Sequence, residues 1–250
     1  MNDRLDVGAG GPLAEIGLLL DCLQVDPAFQ DADLPDRLSG ADWAVLIEQA
    51  ARLGVLPLLC HRLKVLGSGL AIPAEIEEAL GQAYYASTVR NVRLYHDLGR
   101  VLQVLREQGI PAIVLKGAHL AQIVYPDIAL RPMGDVDLLV RERDLARVRT
   151  CLLGVGCTVD TFVGQEAERF PRADLNAHHN YRIAGRGLPL EVHWDIRLLQ
   201  SPFTFQIDDL WARAWSATIA DVPTLVLSPE DLVLHICLHA AFRHTFEIGL

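Results

Sequence analysis

Arg131-Pro132-Met133-Gly134-Asp135-Val136-Asp137-Leu138-Leu139-Val140 sets two aspartates, two residues apart, at the head of an apolar run. In an extended strand residues i and i+2 share a face, so Asp135 and Asp137 project together while Val136 and Leu138 turn to the core. Carboxylates held this close repel each other, and a divalent cation or a shared proton relieves the repulsion. An Asp-x-Asp pair at a strand start is also common as a solvated loop end. The surroundings favour a site, because Lys116-Gly117 closes the preceding apolar segment and Arg131 and Gly134 lie just upstream.

Working outward, residues 110–115 (Ile-Pro-Ala-Ile-Val-Leu) form a short β-branched strand and residues 117–125 a helix stopped by Pro126. Residues 135–140 are the second strand. Residues 144–153 make an amphipathic helix ended at Gly154 and Gly156, and 157–163 a third strand. Strands alternating with helices at this spacing make an α/β sheet unit. From 164 to 187 the sequence turns polar, with a turn at Gly185-Arg186-Gly187. Adjacent histidines on a strand cannot both face one metal, so His178-His179-Asn180 reads as a polar loop. In residues 188–196 the period of two returns: Leu188, Leu190, Val192, Trp194 and Ile196 share one face, and Glu191, His193 and Asp195 the other. That second face is either a solvent face or the third wall of a site.

The flanks are helical. Apolar residues recur at helical spacing from Leu13 to Leu66, separated by Asp33-Leu34-Pro35-Asp36, and the segment ends at Gly67-Ser68-Gly69. A further helix, interrupted near Gly81, runs from Pro73 to Gln108, with Gly109 as its left-handed cap. After the sheet unit come a short helix over 206–215 and a strand over 224–227. Ser228-Pro229-Glu230-Asp231 then opens a last helix with a Ser N-cap, Pro at the first position and acids in the first turn. His235 and His239 are spaced for metal on that helix, but they share its apolar face and read as packed, hydrogen-bonded histidines. The domain organisation expected is a disordered 1–12, a helical N-terminal subdomain with its connecting helix over 13–108, an α/β core over 109–200 and a helical 201–250. With no stop signal at Leu250, more helix is expected to follow in the natural protein.

Composition narrows the partners. The net charge is −10, from 32 acidic and 22 basic residues, with no basic block, which argues against a long nucleic-acid partner and leaves a mononucleotide open. Five scattered cysteines contain no C-x-x-C and indicate neither a disulfide framework nor a zinc ribbon. No apolar run approaches the roughly 18 residues of a spanning helix, and the N-terminus lacks a signal pattern, so a cytoplasmic chain with no membrane partner is expected.

Leu115-Lys116-Gly117, Tyr125-Pro126, Leu130 to Val140 and Glu191-Val192-His193-Trp194 together resemble the bacterial family of uncharacterised nucleotidyltransferases within the DNA polymerase beta superfamily. The resemblance implies an α+β fold with a small mixed sheet flanked by helices. It also implies a glycine turn after the first strand, here Gly117, and three metal-binding carboxylates, here Asp135, Asp137 and Glu191. Mg²⁺ or Mn²⁺ would grip an NTP, and Glu191 would hold the metal that activates an acceptor hydroxyl or act as its base. Lys116, Gly117, Arg131 and His193 are the residues expected against the nucleotide. Gly117-Ala118 stands where many members have Gly-Gly or Gly-Ser, so backbone N–H groups would touch the phosphate without a hydroxyl.

The leading expectation is therefore transfer of an NMP group to a small-molecule or protein hydroxyl. The alternatives are a catalytically degenerate nucleotide-binding or scaffold protein, and a metal-dependent phosphohydrolase using His193 or His178. Asp137→Asn is expected to spare folding, by removing like-charge repulsion, and to abolish nucleotide chemistry.

Overall fold

The computed structural model describes residues 12–25, 33–67, 69–159, 178–183, 188–196 and 206–243. The N-terminal residues 1–11, the expected extension of the third strand to Val163, the turn at 185–187 and the last residues lie outside that description. Two compact units emerge, one holding residues up to Val89 with Ala129–Pro132 and the other holding Arg90–Ile128 and Met133–Glu247.

The first unit is helical: α1 (Pro12–Leu23), α2 (Leu34–Ser39), α3 (Trp43–Arg52), α4 (Leu56–Leu66) and the first half of α5 (Ala74–Glu107). Leu19, Leu38, Leu46, Ala50 and Leu59 are fully or almost fully buried between these helices. Asp42 caps α3, accepting hydrogen bonds from the backbone N–H of Ala44 and Val45 at 3.1 and 3.2 Å.

The second unit is a mixed sheet with helices on both faces. Its elements are β1 (Ala112–Val114), α6 (Lys116–Ile123), β2 (Val136–Val140), α7 (Leu145–Gly154), β3 (Cys157–Val159), β4 (His178–Ile183) and β5 (Leu188–His193). They are followed by α8 (Ile207–Arg213), β6 (Trp215–Ile219), β7 (Val222–Val226) and α9 (Pro229–Arg243). The strand order is β3-β4-β5-β2-β1-β7-β6. β2 runs parallel to β5 and antiparallel to β1, while β1 runs parallel to β7. This is the α+β class with a mixed sheet.

Each helix end has a local cause. α5 is continuous through Gly81 and closes with the N–H of Ile110 on the carbonyl of Leu105 and that of Gly109 on Arg106, both at 2.9 Å, with Gly109 at φ 64°. This double closure is a Schellman cap, sealed by the burial of both Leu105 and Ile110. At Gly99 a Cβ would meet the carbonyl oxygen of Ala220 at 3.0 Å, so a side chain there would push α5 off the β6–β7 turn. α9 begins as expected: the N–H of Asp231 donates to Ser228 Oγ at 3.2 Å, and Arg213 of α8 grips both oxygens of Asp231 at 2.8 and 2.9 Å.

Two strands depart from the sequence expectation. His178-His179-Asn180 opens β4 and is no loop, because it pairs antiparallel with β5 from His178↔His193 to Ile183↔Leu188. β6 is an added strand, joined to β7 by a two-residue turn at Ala220 and Asp221, with φ 51° and 62°. Both central residues are left-handed, as a type I′ hairpin turn requires, but neither is the Gly or Asn that signals one in a sequence.

Candidate active site

β2 is buried on both faces, and its alternation sorts the two. Val136, Leu138 and Val140 join Leu190 and Val192 of β5 in a core covered by α5 and α7. On the other face Ile113, Leu115 and Leu139 pack with Leu210 of α8 and Leu232 of α9. Asp137 shares this second face with Leu139, two residues on. The parallel register sets Asp137 beside Glu191 and Leu139 beside His193. The antiparallel register sets His178 across from His193 and Asn180 across from Glu191. One face of three adjacent strands thus gathers Asp137, Glu191, His193 and His178. Asp135 stands one pleat before Asp137, open to solvent at the start of the strand.

Asp137 is 4 % exposed and is held by Lys116 and His193. Lys116 Nζ donates to its Oδ1 at 3.0 Å, and His193 Nε2 lies 2.8 Å from the same oxygen. His193 Nε2 is also 3.3 Å from Glu191 Oε2, which in turn lies 4.0 Å from His178 Nε2. Burial by itself would raise the Asp137 pKa, but the hydrogen bond to His193 and the Lys116 ammonium hold it well below the usual carboxylate range. Glu191 is lowered by its hydrogen bond to His193, against burial. For His193, burial favours the neutral ring, yet hydrogen bonds to both carboxylates raise its pKa. Asp135 goes the other way: although its edge is open, desolvation on the protein side, then the charges of Asp137 and Glu191, raise its pKa.

Lys116 is placed by the strand-to-helix turn. It sits between β1 and the body of α6 at φ 41°, a left-handed conformation that disfavours a side chain. Gly117, where the sequence suggests the glycine turn, lies within the first turn of α6. The helix is pinned by Tyr95 Oη donating to the carbonyl of Ala118 at 2.7 Å and by the N–H of Ala220 donating to Gln122 Oε1 at 3.0 Å. Its N-cap, Leu115, makes no side-chain cap hydrogen bond to the first-turn amides, and Lys116 and Gly117 at the start of the helix are half-buried.

The other sequence candidates are sorted by the fold. Glu191, His193 and Asp195 are no solvent face, since His193 and Asp195 are buried and Glu191 is half-buried. Arg131 belongs to the segment Ala129–Pro132 of the helical unit. His235 is buried in α9 edge-on to His239, at 6.3 Å between ring centroids. Burial, then the Lys116 ammonium, pushes the His235 pKa down to about 3, so its ring is neutral. His178, read in the sequence as part of a polar loop and named only in the phosphohydrolase alternative, lies in β4 beside Glu191 and His193. Its neighbour His179 turns to the opposite face against Trp194, so only one of the adjacent pair has to reach the site.

The donor set suits a divalent cation. Three carboxylates, Asp135, Asp137 and Glu191, are gathered with the Lys116 ammonium and the His193 ring. Among the described residues, His178, Glu191 and His193 each offer a ligand atom within 4.8 Å of the others. Asp135 and Asp137 stand outside this tight group.

The family model described as uncharacterised nucleotidyltransferase matches residues 39–250 of the chain. None of the curated proteins matches the sequence. Two solved structures are similar at 14% identity. The solution structure of the antibiotic-resistance factor ANT(2″)-Ia covers 62% of this chain and 76% of its own, with a TM-score of 0.42. The crystal structure of ANT(2″)-Ia in complex with adenylyl-2″-tobramycin covers 60% and 78%, with a TM-score of 0.40. No helix among the described residues is long and apolar enough to cross a membrane.

Proposed function

The chain belongs to the family of uncharacterised nucleotidyltransferases, and from that premise we propose that it moves an NMP group from an NTP to a hydroxyl of a small-molecule or protein acceptor. The observation that carries the reading is the parallel β2–β5 register, which sets Asp137 and Glu191 side by side on one face with Asp135 one pleat away. Asp135, Asp137 and Glu191 would hold Mg²⁺ or Mn²⁺. When bound, the ions would neutralise triphosphate charge and lower the pKa of the acceptor hydroxyl.

The chain's own groups divide the remaining work. Lys116 and the first-turn amides of α6, Gly117 included, bind phosphate oxygens through an ammonium and the positive end of a helix. Glu191 takes the acceptor proton, and His193, lying 3.3 Å from it, fixes the carboxylate's orientation. The acceptor oxygen forms a bond to the α-phosphorus, the bond from that phosphorus to the bridging oxygen breaks, and pyrophosphate leaves with the electron pair. Stabilisation of the charge on the transferring group by fixed cations is the largest expected contribution.

A second reading, nucleotide binding without turnover, rests on one observation: Lys116 and His193 already occupy Asp137 Oδ1. The experiment that separates them titrates each NTP with and without Mg²⁺ or Mn²⁺, then follows pyrophosphate release and the intact mass of the protein. Metal-dependent binding with pyrophosphate release supports transfer. Binding with no pyrophosphate across a panel of hydroxyl acceptors favours the second reading, and no binding with any metal overturns both.

A further inference from the structure

We propose that His178, Glu191 and His193 form a site for a divalent transition-metal ion of the zinc class, which they hold without nucleotide and in preference to Mg²⁺. The inference goes beyond nucleotidyl transfer, which assigns the triphosphate-side ions to carboxylates.

The site is built by strand register. His178 and His193 are directly opposite across the β4–β5 ladder, and Glu191 lies two residues before His193, so the three side chains share a face. Glu191 Oε2 is 3.3 Å from His193 Nε2 and 4.0 Å from His178 Nε2, and all three ligand atoms fall within 4.8 Å of one another. Donors about 2.1 Å from a tetrahedral zinc stand about 3.4 Å apart. The Glu191–His193 separation already meets that spacing. His178 has to close by about an ångström, and its side chain is 12 % exposed, against 27 % for Glu191.

The donor atoms choose the ion. Mg²⁺ demands oxygen ligands in near-ideal octahedral geometry, as the carboxylates of Asp135 and Asp137 supply. Two imidazoles and one carboxylate suit Zn²⁺, Co²⁺ and their neighbours. Three protein ligands also leave one tetrahedral position for an exogenous group. His193 Nε2 is 2.8 Å from Asp137 Oδ1, so the ion takes the place of the proton in that hydrogen bond and lies beside Asp137. The cleft thus carries a nitrogen-rich end and an oxygen-only end that meet at Glu191.

The test uses the full chain, stripped of metal by a chelator, with no nucleotide present. Zn²⁺ is titrated in competition with a chromophoric indicator, and Co²⁺ is followed by its visible absorption. One Zn²⁺ is expected per chain, held against a large excess of Mg²⁺, with tetrahedral Co²⁺ bands. His178→Ala should weaken Zn²⁺ at least about tenfold and abolish the bands. His179→Ala is the control on the same strand. Its ring packs against Trp194 at 4.9 Å, and its loss should leave Zn²⁺ affinity unchanged. Should His178→Ala fail to fold by circular dichroism, His178→Gln decides in its place.

Zn²⁺ affinity unaltered by loss of His178, equal loss in the His179 variant, or displacement by Mg²⁺ would each overturn the proposal. A parallel measurement separates it from the transfer reading: Asp135→Asn should lose Mg²⁺-dependent NTP binding and keep Zn²⁺. If the wild type binds no NTP while Zn²⁺ still follows His178, the transfer reading falls and this site stands.

Discussion

The two faces of β2 and β5 share one hydrogen-bonded ladder and are held by different physics. On one face Val136, Leu138, Val140, Leu190 and Val192 are buried among the apolar side chains of α5 and α7. On the other, Asp137, Glu191 and His193 are held by a few directional contacts between 2.8 and 3.3 Å. Apolar burial is non-directional and indifferent to protonation over the ordinary pH range. A buried charge depends on its partners, and it becomes a liability when one is removed. Stability and chemistry can therefore be perturbed separately, by substituting neighbouring residues of a single strand.

The largest effect on stability is expected on the apolar face. Leu138 is fully buried, and Leu138→Ala should lower the unfolding free energy by about 2–5 kcal/mol in chemical denaturation. Its folded fraction should bind NTP with unaltered affinity. A fully folded Leu138→Ala that bound no nucleotide would show that the two faces are not separable.

Asp137→Asn tests the other face. The amide gives Lys116 and His193 a weaker acceptor and leaves the half-buried Lys116 ammonium without its counterion. A stability loss of about 1–3 kcal/mol is expected. Transfer should fall by about a hundredfold to a thousandfold, the scale of losing one preorganised electrostatic contact. This reverses the sequence expectation of unimpaired folding. Two aspartates seen alone suggest repulsion, whereas the folded Asp137 has the Lys116 ammonium at 3.0 Å and the His193 ring at 2.8 Å. Unchanged stability in Asp137→Asn would mean that those contacts do not form in solution.

That reversal marks the boundary of what the sequence makes legible. The period of two places Asp135 with Asp137 and Glu191 with His193, because it depends only on the local geometry of a strand. Which strand lies beside which is a long-range property. Nothing within residues 188–196 dictates that Glu191 is set next to Asp137 or that His178 is set across from His193. His178 reads as part of a polar loop in the sequence, and is named only in the phosphohydrolase alternative, for a related reason. Apolar alternation in β4 is confined to Tyr181 and Ile183, and its polar first half is a strand because it pairs with β5. Lys116 at φ 41° and Ala220 at φ 51° are hidden in the same way, since left-handed backbone is signalled in a sequence by Gly or Asn. The helix caps, by contrast, were legible at Gly109 and Ser228, because a cap is built from neighbours within one turn.

Glu191→Gln sharpens the comparison within the polar face. It keeps the shape and an acceptor oxygen but removes the charge and the proton-accepting capacity. Turnover should fall about a hundredfold or more while NTP affinity drops by less than tenfold, checked by single-turnover kinetics beside a binding titration. Equal retention of both would remove Glu191 from the mechanism.

The smallest effect is the one only the polar face can produce, a pH dependence of stability in the metal-free protein. His193 has a folded pKa raised above its unfolded value near 6.5, so its contribution is complete below about pH 6.5 and is lost as pH rises through the folded value. Asp137 and Glu191 have lowered folded values, so theirs are complete above about pH 4.5 and are lost as pH falls through those values. Asp135, raised, acts against the fold as pH climbs through its unfolded value near 3.8, and the penalty persists above its folded value, so it lowers the window as a whole. The group therefore stabilises most between about pH 5 and 6.5, and a decline of about 1 kcal/mol is expected toward pH 8. His193→Gln should flatten the alkaline side of this profile, because glutamine hydrogen-bonds but does not titrate. Leu138→Ala should lower the whole profile and leave its shape between about pH 5 and 8 unaltered, since Leu138 lies in the apolar cluster on the face opposite His193, Asp137 and Glu191. If instead the alkaline decline survives in His193→Gln, the charge that stabilises the fold lies elsewhere, and the contacts drawn here between His193, Asp137 and Glu191 do not govern it.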